Sequence, residues 1–174
     1  MKFVVIDDDP TGSQTVHDCL LLLKWDCSTL AKGFESKSNL FFILANTRSL
    51  SEKEAKLTIE QICKNLKTVI ALQANEEEII FISRGDSTLR GHNFLEPSAL
   101  NSYLGPFDAT FHIPAFIEGK RFTINGSHFV DKTPIHQTSF ARDKIFGFET
   151  SNVKNLLFQK SKSKIKIEDI QNLL

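Results

Sequence analysis

A chain of 174 residues is long enough for one domain with a buried core and too short for two ordinary ones, so a single domain over residues 1–174 is expected. Its 21 basic and 21 acidic residues cancel; no global field draws in nucleic acid or an anionic membrane, and selectivity must be local. Cys19, Cys27 and Cys63 form no C-x-x-C pair and leave an odd count, which argues against a disulfide framework or a zinc ribbon and fits a reducing cytoplasm.

The first apolar run, Lys2 to Ile6, reads as a strand; an unbroken stretch of only four apolar residues, Phe3 to Ile6, precedes Asp7, so a signal peptide is not expected. It leads into Asp7-Asp8-Asp9-Pro10-Thr11-Gly12-Ser13-Gln14-Thr15, three carboxylates beside a hydroxyl-rich turn. A second run covers Cys19 to Leu23, a weak helix Ser28 to Phe34, and a third run Leu40 to Leu44, followed by Asn46-Thr47-Arg48-Ser49. Ser51-Glu52-Lys53-Glu54 has the form of a capping box, and Ala55, Ile59, Ile62, Leu66, Val69 and Ile70 follow at helical spacing, which predicts a crossover helix. The fourth run, Glu78 to Ile82, passes directly into Ser83-Arg84-Gly85-Asp86-Ser87-Thr88-Leu89-Arg90-Gly91-His92.

Pro97 suits the first turn of a helix ending near Leu104-Gly105. A fifth strand is predicted over Ala109 to Ile113, before Pro114-Ala115-Phe116. Residues 116–148, punctuated by glycines, read as an irregular excursion with a hairpin. Lys160 to Lys164 is a solvated link, Ile165 to Ile167 a last strand, and Glu168 to Leu174 the start of a helix. Continuous apolar runs alternating with helices define an α/β fold: an open, mostly parallel sheet flanked by helices. No run approaches the roughly 20 apolar residues that span a bilayer.

In open α/β sheets ligands bind beyond the carboxyl ends of the strands, and four of these ends carry compact polar or turn chemistry. Arg84 and Arg90 each present a planar fork of donors suited to a carboxylate or phosphate. Asp86 either pairs with an arginine or takes a proton from a substrate hydroxyl. Ser87, Thr88 and the backbone around Gly91 suit a polyol or an anion. Three adjacent carboxylates repel one another unless donors or a cation such as Mg²⁺ offset them. The plainer alternative is ordinary loop chemistry, with Thr11, Ser13, Ser49 or Ser51 capping helices and Gly85 and Gly91 turning the chain. His17, His92, His112, His128 and His136 lack metal-ligand spacing, so no metal site is assigned; neither a Walker loop nor a dinucleotide fingerprint occurs.

Taken together, Asp7-Asp8-Asp9-Pro10-Thr11-Gly12, Asn46-Thr47-Arg48-Ser49, Asp86-Ser87-Thr88-Leu89-Arg90-Gly91 and Pro114-Ala115-Phe116-Ile117-Glu118-Gly119 resemble the N-terminal domain of the four-carbon acid sugar kinases. In that family this domain binds the sugar acid, and a separate C-terminal domain binds ATP; Mg²⁺ assists transfer to a terminal hydroxyl of threonate- or erythronate-like substrates. The resemblance implies that Asp7, Asp8, Asp86, Ser87, Thr88 and Arg90 line the sugar-acid pocket; the candidate catalytic residues are Asp8 and Asp86, and the candidate substrate-binding ones are Asp7, Thr11, Gly12, Arg48, Arg84, Ser87, Thr88, Arg90 and Gly91. The nucleotide-binding half is expected to be absent or separately encoded, and a homodimer is expected from the surface such a half would cover; the cytoplasmic expectation rests on the cysteines and the apolar runs. Many members have Asp-Asp-Leu-Thr-Gly where this chain has Asp-Asp-Asp-Pro-Thr-Gly, and Lys before Asp-Ser-Thr where it has Arg84-Gly85.

Two other readings stand beside this one. Asp7-Asp8-Asp9-Pro10-Thr11 also fits the D-x-D-x-T pattern of haloacid-dehalogenase-like phosphatases, with Asp7 as nucleophile, Asp9 as acid/base and Mg²⁺ as cofactor. Alternatively the chain is a stand-alone sugar-acid-binding module or a non-catalytic remnant.

Overall fold

The computed structural model of the protein describes residues 1–73 and 78–173. The chain divides into two compact units, Met1–Gly85 with Glu96–Asp108, and Asp86–Leu95 with Ala109–Leu174.

In the first unit β1 (Lys2–Asp7), β2 (Leu20–Leu22), β3 (Leu40–Leu44) and β4 (Ile79–Arg84) form a parallel sheet in the order β2-β3-β1-β4. β1 is central, and Val4, Val5 and Ile6 are all buried, which is why it reads as an unbroken apolar run. β4 lies at the edge and alternates, with Ile80 and Ile82 exposed. α1 (Cys27–Glu35) starts on Asp26, whose carboxylate accepts from the Thr29 N–H at 3.0 Å. Gly33 faces the Phe41 ring so closely that a Cβ would overlap it, and Phe34 meets the same ring edge-on at 5.2 Å. These two contacts seat α1 against β3.

α2 (Glu52–Ala71) begins with the predicted capping box: Ser51 Oγ accepts from the Glu54 N–H at 3.3 Å, and Glu54 accepts from the Ser51 N–H at 3.0 Å. Its buried stripe is Ala55, Ile59, Ile62, Cys63, Leu66 and Val69. Each large aliphatic there contributes roughly 1.5–3 kcal/mol by leaving water, so a charge at Ile62 would undo the docking of the helix. α3 (Leu95–Leu104) has Pro97 in its first turn, as expected, and buries Glu96 and Leu100.

The second unit contains β5 (Arg121–Ile124), β6 (Ser127–Val130) and β7 (Thr133–Pro134), an antiparallel meander. Its first turn is Asn125-Gly126 with φ of 48° and 75°, the pair of left-handed residues that a tight two-residue hairpin requires. α4 (Val153–Lys160) starts on Asn152, which accepts from the Asn155 N–H at 3.0 Å. Leu89, Ile135, Ala141, Phe148 and Leu156 form the core, with Val130 packed against it.

The α/β class, the parallel sheet and the hairpin within 116–148 agree with the sequence reading. The predicted strand at Ala109 to Ile113 does not form: Phe111 and Ile113 are exposed, and the run has no ladder partner among the described residues. Ile165 to Ile167 is not a strand either. Left-handed Lys162 and Ser163 turn the chain just before it, and a 3-10 turn occupies Ile167–Asp169. The helix expected over 168–174 is absent through residue 173, and Leu174 lies outside the described residues.

Candidate functional site

Parallel pairing places the exits of β3, β1 and β4 side by side, and Asp7 and Arg84 are register partners at the end of the sheet. The Asp7 carbonyl accepts from the Ala45 and Asn46 N–H groups at 2.9 and 3.2 Å, which turns the chain after β3 across β1; Asn46 is left-handed there, with φ 52°. Arg48 follows within this turn. Its Nε and Nη2 donate to the two carboxylate oxygens of Asp8 at 3.0 and 2.6 Å, and its Nη1 lies 3.3 Å from Asp9. Asp9 also accepts from the Thr11 N–H at 2.8 Å and from the Thr11 hydroxyl. Asp7 Oδ1 accepts from Arg84 Nη1 at 3.3 Å, while the buried Oδ2 has no hydrogen-bond partner among the described residues. Gly12 closes over this pair, where a Cβ would overlap both the Asp7 carboxylate and the Arg84 guanidinium.

The three aspartates are therefore not equivalent. Asp7 is 0% exposed, and burial pushes its pKa up against the pull of Arg84, with the neighbouring Asp8 charge adding to the rise. For Asp9 burial also acts upward, but the Thr11 hydrogen bonds and the charges of Arg48 and Arg84 outweigh it and hold the carboxyl below its usual range.

Beneath these exits lies Glu96, a residue that sequence reasoning missed. It is 3% exposed, accepts from the Thr47 hydroxyl on one oxygen, and accepts from Ser83 Oγ at 2.9 Å on the other. Burial raises its pKa to about 7; the Asp8 charge adds to the rise, and the two hydroxyls and Arg48 oppose it. A glutamate in the first turn of a helix ordinarily signals only a favourable dipole interaction, so its sequence position alone concealed it.

In the second unit, Asp86, Ser87, Thr88, Arg90 and Gly91 are held by their own loop. Asp86 accepts from the Thr88 N–H at 3.0 Å, the Thr88 hydroxyl and Arg90 Nε at 2.6 Å. Burial would raise the Asp86 pKa, but these donors more than offset it and hold it low. Leu89, left-handed with φ 65°, is buried in the core of the unit, and Gly91 has φ 103°. Arg90 Nη1 is 3.8 Å from Asp143, and its guanidinium lies over the Phe140 ring at 5.2 Å. Arg121, also missed, stacks over the same ring at 5.5 Å and donates from Nη1 to Ser87 Oγ at 2.9 Å. His128 is buried between the Ser87 carbonyl at 2.7 Å and Thr123 Oγ1 at 2.9 Å; burial lowers its pKa, so the neutral ring donates from Nε2 and accepts at Nδ1.

Chemically, the first unit offers carboxylates pre-paired with guanidinium groups, a set suited to a ligand rich in hydroxyls and bearing its own negative charge. Among the described residues no group of His, Cys, Asp and Glu side chains is placed to hold a metal ion, so these residues do not by themselves fit Mg²⁺. The phosphatase pattern fails on the same geometry, since Asp7, its required nucleophile, is wholly buried under Gly12.

A parallel α/β unit with such groups at its strand exits defines a small-molecule-binding domain. The family model described as the sugar-binding N-terminal domain matches residues 3–173, and the chain belongs to that family, the N-terminal domain of the four-carbon acid sugar kinases. A D-erythronate kinase of Heliobacterium modesticaldum is 27% identical over 168 residues, 93% of this chain and 37% of that kinase. A Bordetella bronchiseptica protein of the domain of unknown function DUF1537, solved as a domain-swapped dimer with bound citrate, superposes with a TM-score of 0.69 at 21% identity, over 90% of this chain and 40% of its own. A Haemophilus influenzae protein of the same domain class gives a TM-score of 0.67 at 19% identity, over 90% of this chain and 38% of its own. The chain thus spans well under half the length of each.

Proposed function

We propose that the protein binds a four-carbon sugar acid of the threonate or erythronate type and serves as the substrate-binding half of an ATP-dependent kinase acting on a terminal hydroxyl. The observation that carries this reading is the array of Asp7, Asp8, Arg48 and Arg84 on three adjacent strand exits of a sugar-binding family member. Thr11 and Gly12 shape the loop over that array. Asp8 and Asp86 are the alternative candidates for orienting the attacking hydroxyl. Arg90, with Ser87, Thr88 and Gly91 around it, is the candidate for the substrate carboxylate.

Phosphoryl transfer also needs a nucleotide and Mg²⁺ to carry the transferred charge. We assign both to a nucleotide-binding half outside residues 1–174, consistent with the greater length of the Heliobacterium kinase. The same reading places the protein in the cytoplasm, in keeping with the absence of any helix among the described residues long and apolar enough to cross a membrane. A homodimer is proposed by analogy with the Bordetella protein.

Calorimetry with D-erythronate and D- and L-threonate tests the binding, and a coupled ATP assay with the nucleotide-binding half added tests the kinase. Saturable binding of at least one acid is expected, with ADP released only in the presence of the added half. Failure to bind any of them removes the reading. Binding with no ATP consumption under any pairing leaves a sugar-acid-binding module.

A further inference from the structure

Glu96 reaches to both sides of β1. In the sheet order β2-β3-β1-β4, β1 ends between β3 and β4, and it ends in Asp7, with Asp8 directly after it. One oxygen of Glu96 accepts from Thr47, just beyond β3, and the other accepts from Ser83, inside β4. Each hydroxyl residue directly precedes an arginine of the array: Thr47 precedes Arg48, paired with Asp8, and Ser83 precedes Arg84, paired with Asp7.

We propose that Glu96 is a positioning residue, a buried carboxyl staple that fixes the two arginine-bearing strand exits so that Arg48 and Arg84 hold Asp8 and Asp7 in register for the ligand. Three observations support it. The staple is buried to 3% exposure, so its hydrogen bonds do not compete with water. It couples two segments 49 and 13 residues away in sequence. Its charge state is linked to the array, because Asp8 and Arg48 are the charged groups that bear on it from the sheet side. From α2, Cys63 faces it, with a thiol pushed up to about 12 by burial and by the charges of Glu60 and Glu96 itself. When ionised, Glu96 competes with Asp8 for Arg48 and repels an anionic ligand; the neutral form accepts at one oxygen and donates at the other.

The ligand role of this staple rests on the sugar-acid reading, and two readouts separate the two. In the ligand-free protein, the Arg48 Nε–H resonance reports the Arg48–Asp8 pair directly. Thr47→Val, Ser83→Ala and Glu96→Leu are each expected to accelerate its solvent exchange at least 10-fold, whereas Glu96→Gln, a mimic of the neutral form, keeps it within about 3-fold of the parent. Unchanged exchange in Thr47→Val and Ser83→Ala, both small enough to leave the fold intact, overturns the proposal whether or not a sugar acid binds.

The second readout is erythronate affinity at pH 6 and pH 8. The parent is expected to weaken several-fold on going to pH 8, and Glu96→Gln to remove that fall. A Glu96→Gln profile that parallels the parent overturns the staple while leaving the sugar-acid reading intact. Absence of binding in the parent, with the exchange pattern as expected, sinks the sugar-acid reading and leaves the staple standing.

Discussion

Removing Arg48 tests whether the charge array is a structural unit. Asp8 is 2% exposed and both its oxygens are engaged by Arg48, whose own side chain is 18% exposed. Arg48→Met keeps much of the aliphatic volume but leaves a desolvated carboxylate without its counterion. Loss of one partner of a buried pair costs about 3–5 kcal/mol, and the partial exposure of Arg48 places this case near the lower end, about 3 kcal/mol. Asp8→Asn should cost less, about 1–2 kcal/mol, because the stranded guanidinium keeps Asp9 at 3.3 Å and some access to water. The double variant should fall well short of the sum, giving a coupling of about 2 kcal/mol. Trp25, the only tryptophan, lies in the first unit, where Asn65 Nδ2 donates to its carbonyl at 2.7 Å, so its fluorescence in a urea titration reports the unit that contains the pair. A cost under 1 kcal/mol for Arg48→Met, or additive single effects, would refute the premise that the pair is held out of water.

Gly12→Ala should disrupt the Asp7–Arg84 pair, because the new methyl overlaps both groups; a loss of about 1–3 kcal/mol and weaker sugar-acid binding are expected, checked by the same titration and by calorimetry. Glu96 has a raised pKa, so between the ordinary value of 4.5 and about 7 the unfolded chain binds fewer protons than the folded one, and stability falls as pH rises. The penalty, about 3 kcal/mol, is complete above pH 7; Glu96→Gln should abolish this part of the slope, and an unaltered stability–pH curve would count against it. Asp86 has the opposite sign: its lowered pKa stabilises the fold above the ordinary carboxyl range, and that contribution is lost on acidification, an effect Asp86→Asn should remove from acid unfolding curves. Arg90→Ala should weaken sugar-acid binding by about 2–3 kcal/mol in calorimetry, and unchanged affinity would remove it as the carboxylate-holding group.

The elements the sequence revealed best are those whose signals are local. The α2 capping box needs only Ser51 and Glu54, and the central strands β1 and β3 are buried on both faces, so their apolar runs coincide with the strands to within a residue or two. Ala109 to Ile113 carries the same kind of run yet joins no ladder among the described residues, because a strand also needs a neighbour to accept its backbone hydrogen bonds, and no property of the run supplies one. α4 stands out poorly in the sequence although Asn152 before Val153, Leu156 and Leu157 is a helix start, because the flanking polar residues dilute its apolar face. For the site, the residue types at the strand exits were legible, but the pairings were not. Arg48 and Asp8 stand 40 residues apart, and Glu96 meets Thr47 across 49, distances over which only the folded sheet decides who is adjacent.

Those pairings change how binding must work. In the sequence, the aspartates and arginines present themselves as open valences waiting for a guest. In the structure Asp8, Asp9 and Asp86 each hold a cation or hydroxyl donor already, and Arg90 is tied through Nε to Asp86 and Thr88. On the proposed reading, a sugar acid enters by exchanging partners within existing ion pairs, and the free energy it gains is the difference between two sets of charge-assisted hydrogen bonds. Such a difference is modest per contact but demanding in geometry, since a hydroxyl that fails to replace a displaced donor leaves a buried carboxylate unpaired at a cost of about 1–3 kcal/mol or more. Discrimination between erythronate and threonate, which differ only in the direction of one hydroxyl, is the kind of selectivity that partner exchange at buried carboxylates provides and a merely positive surface would not.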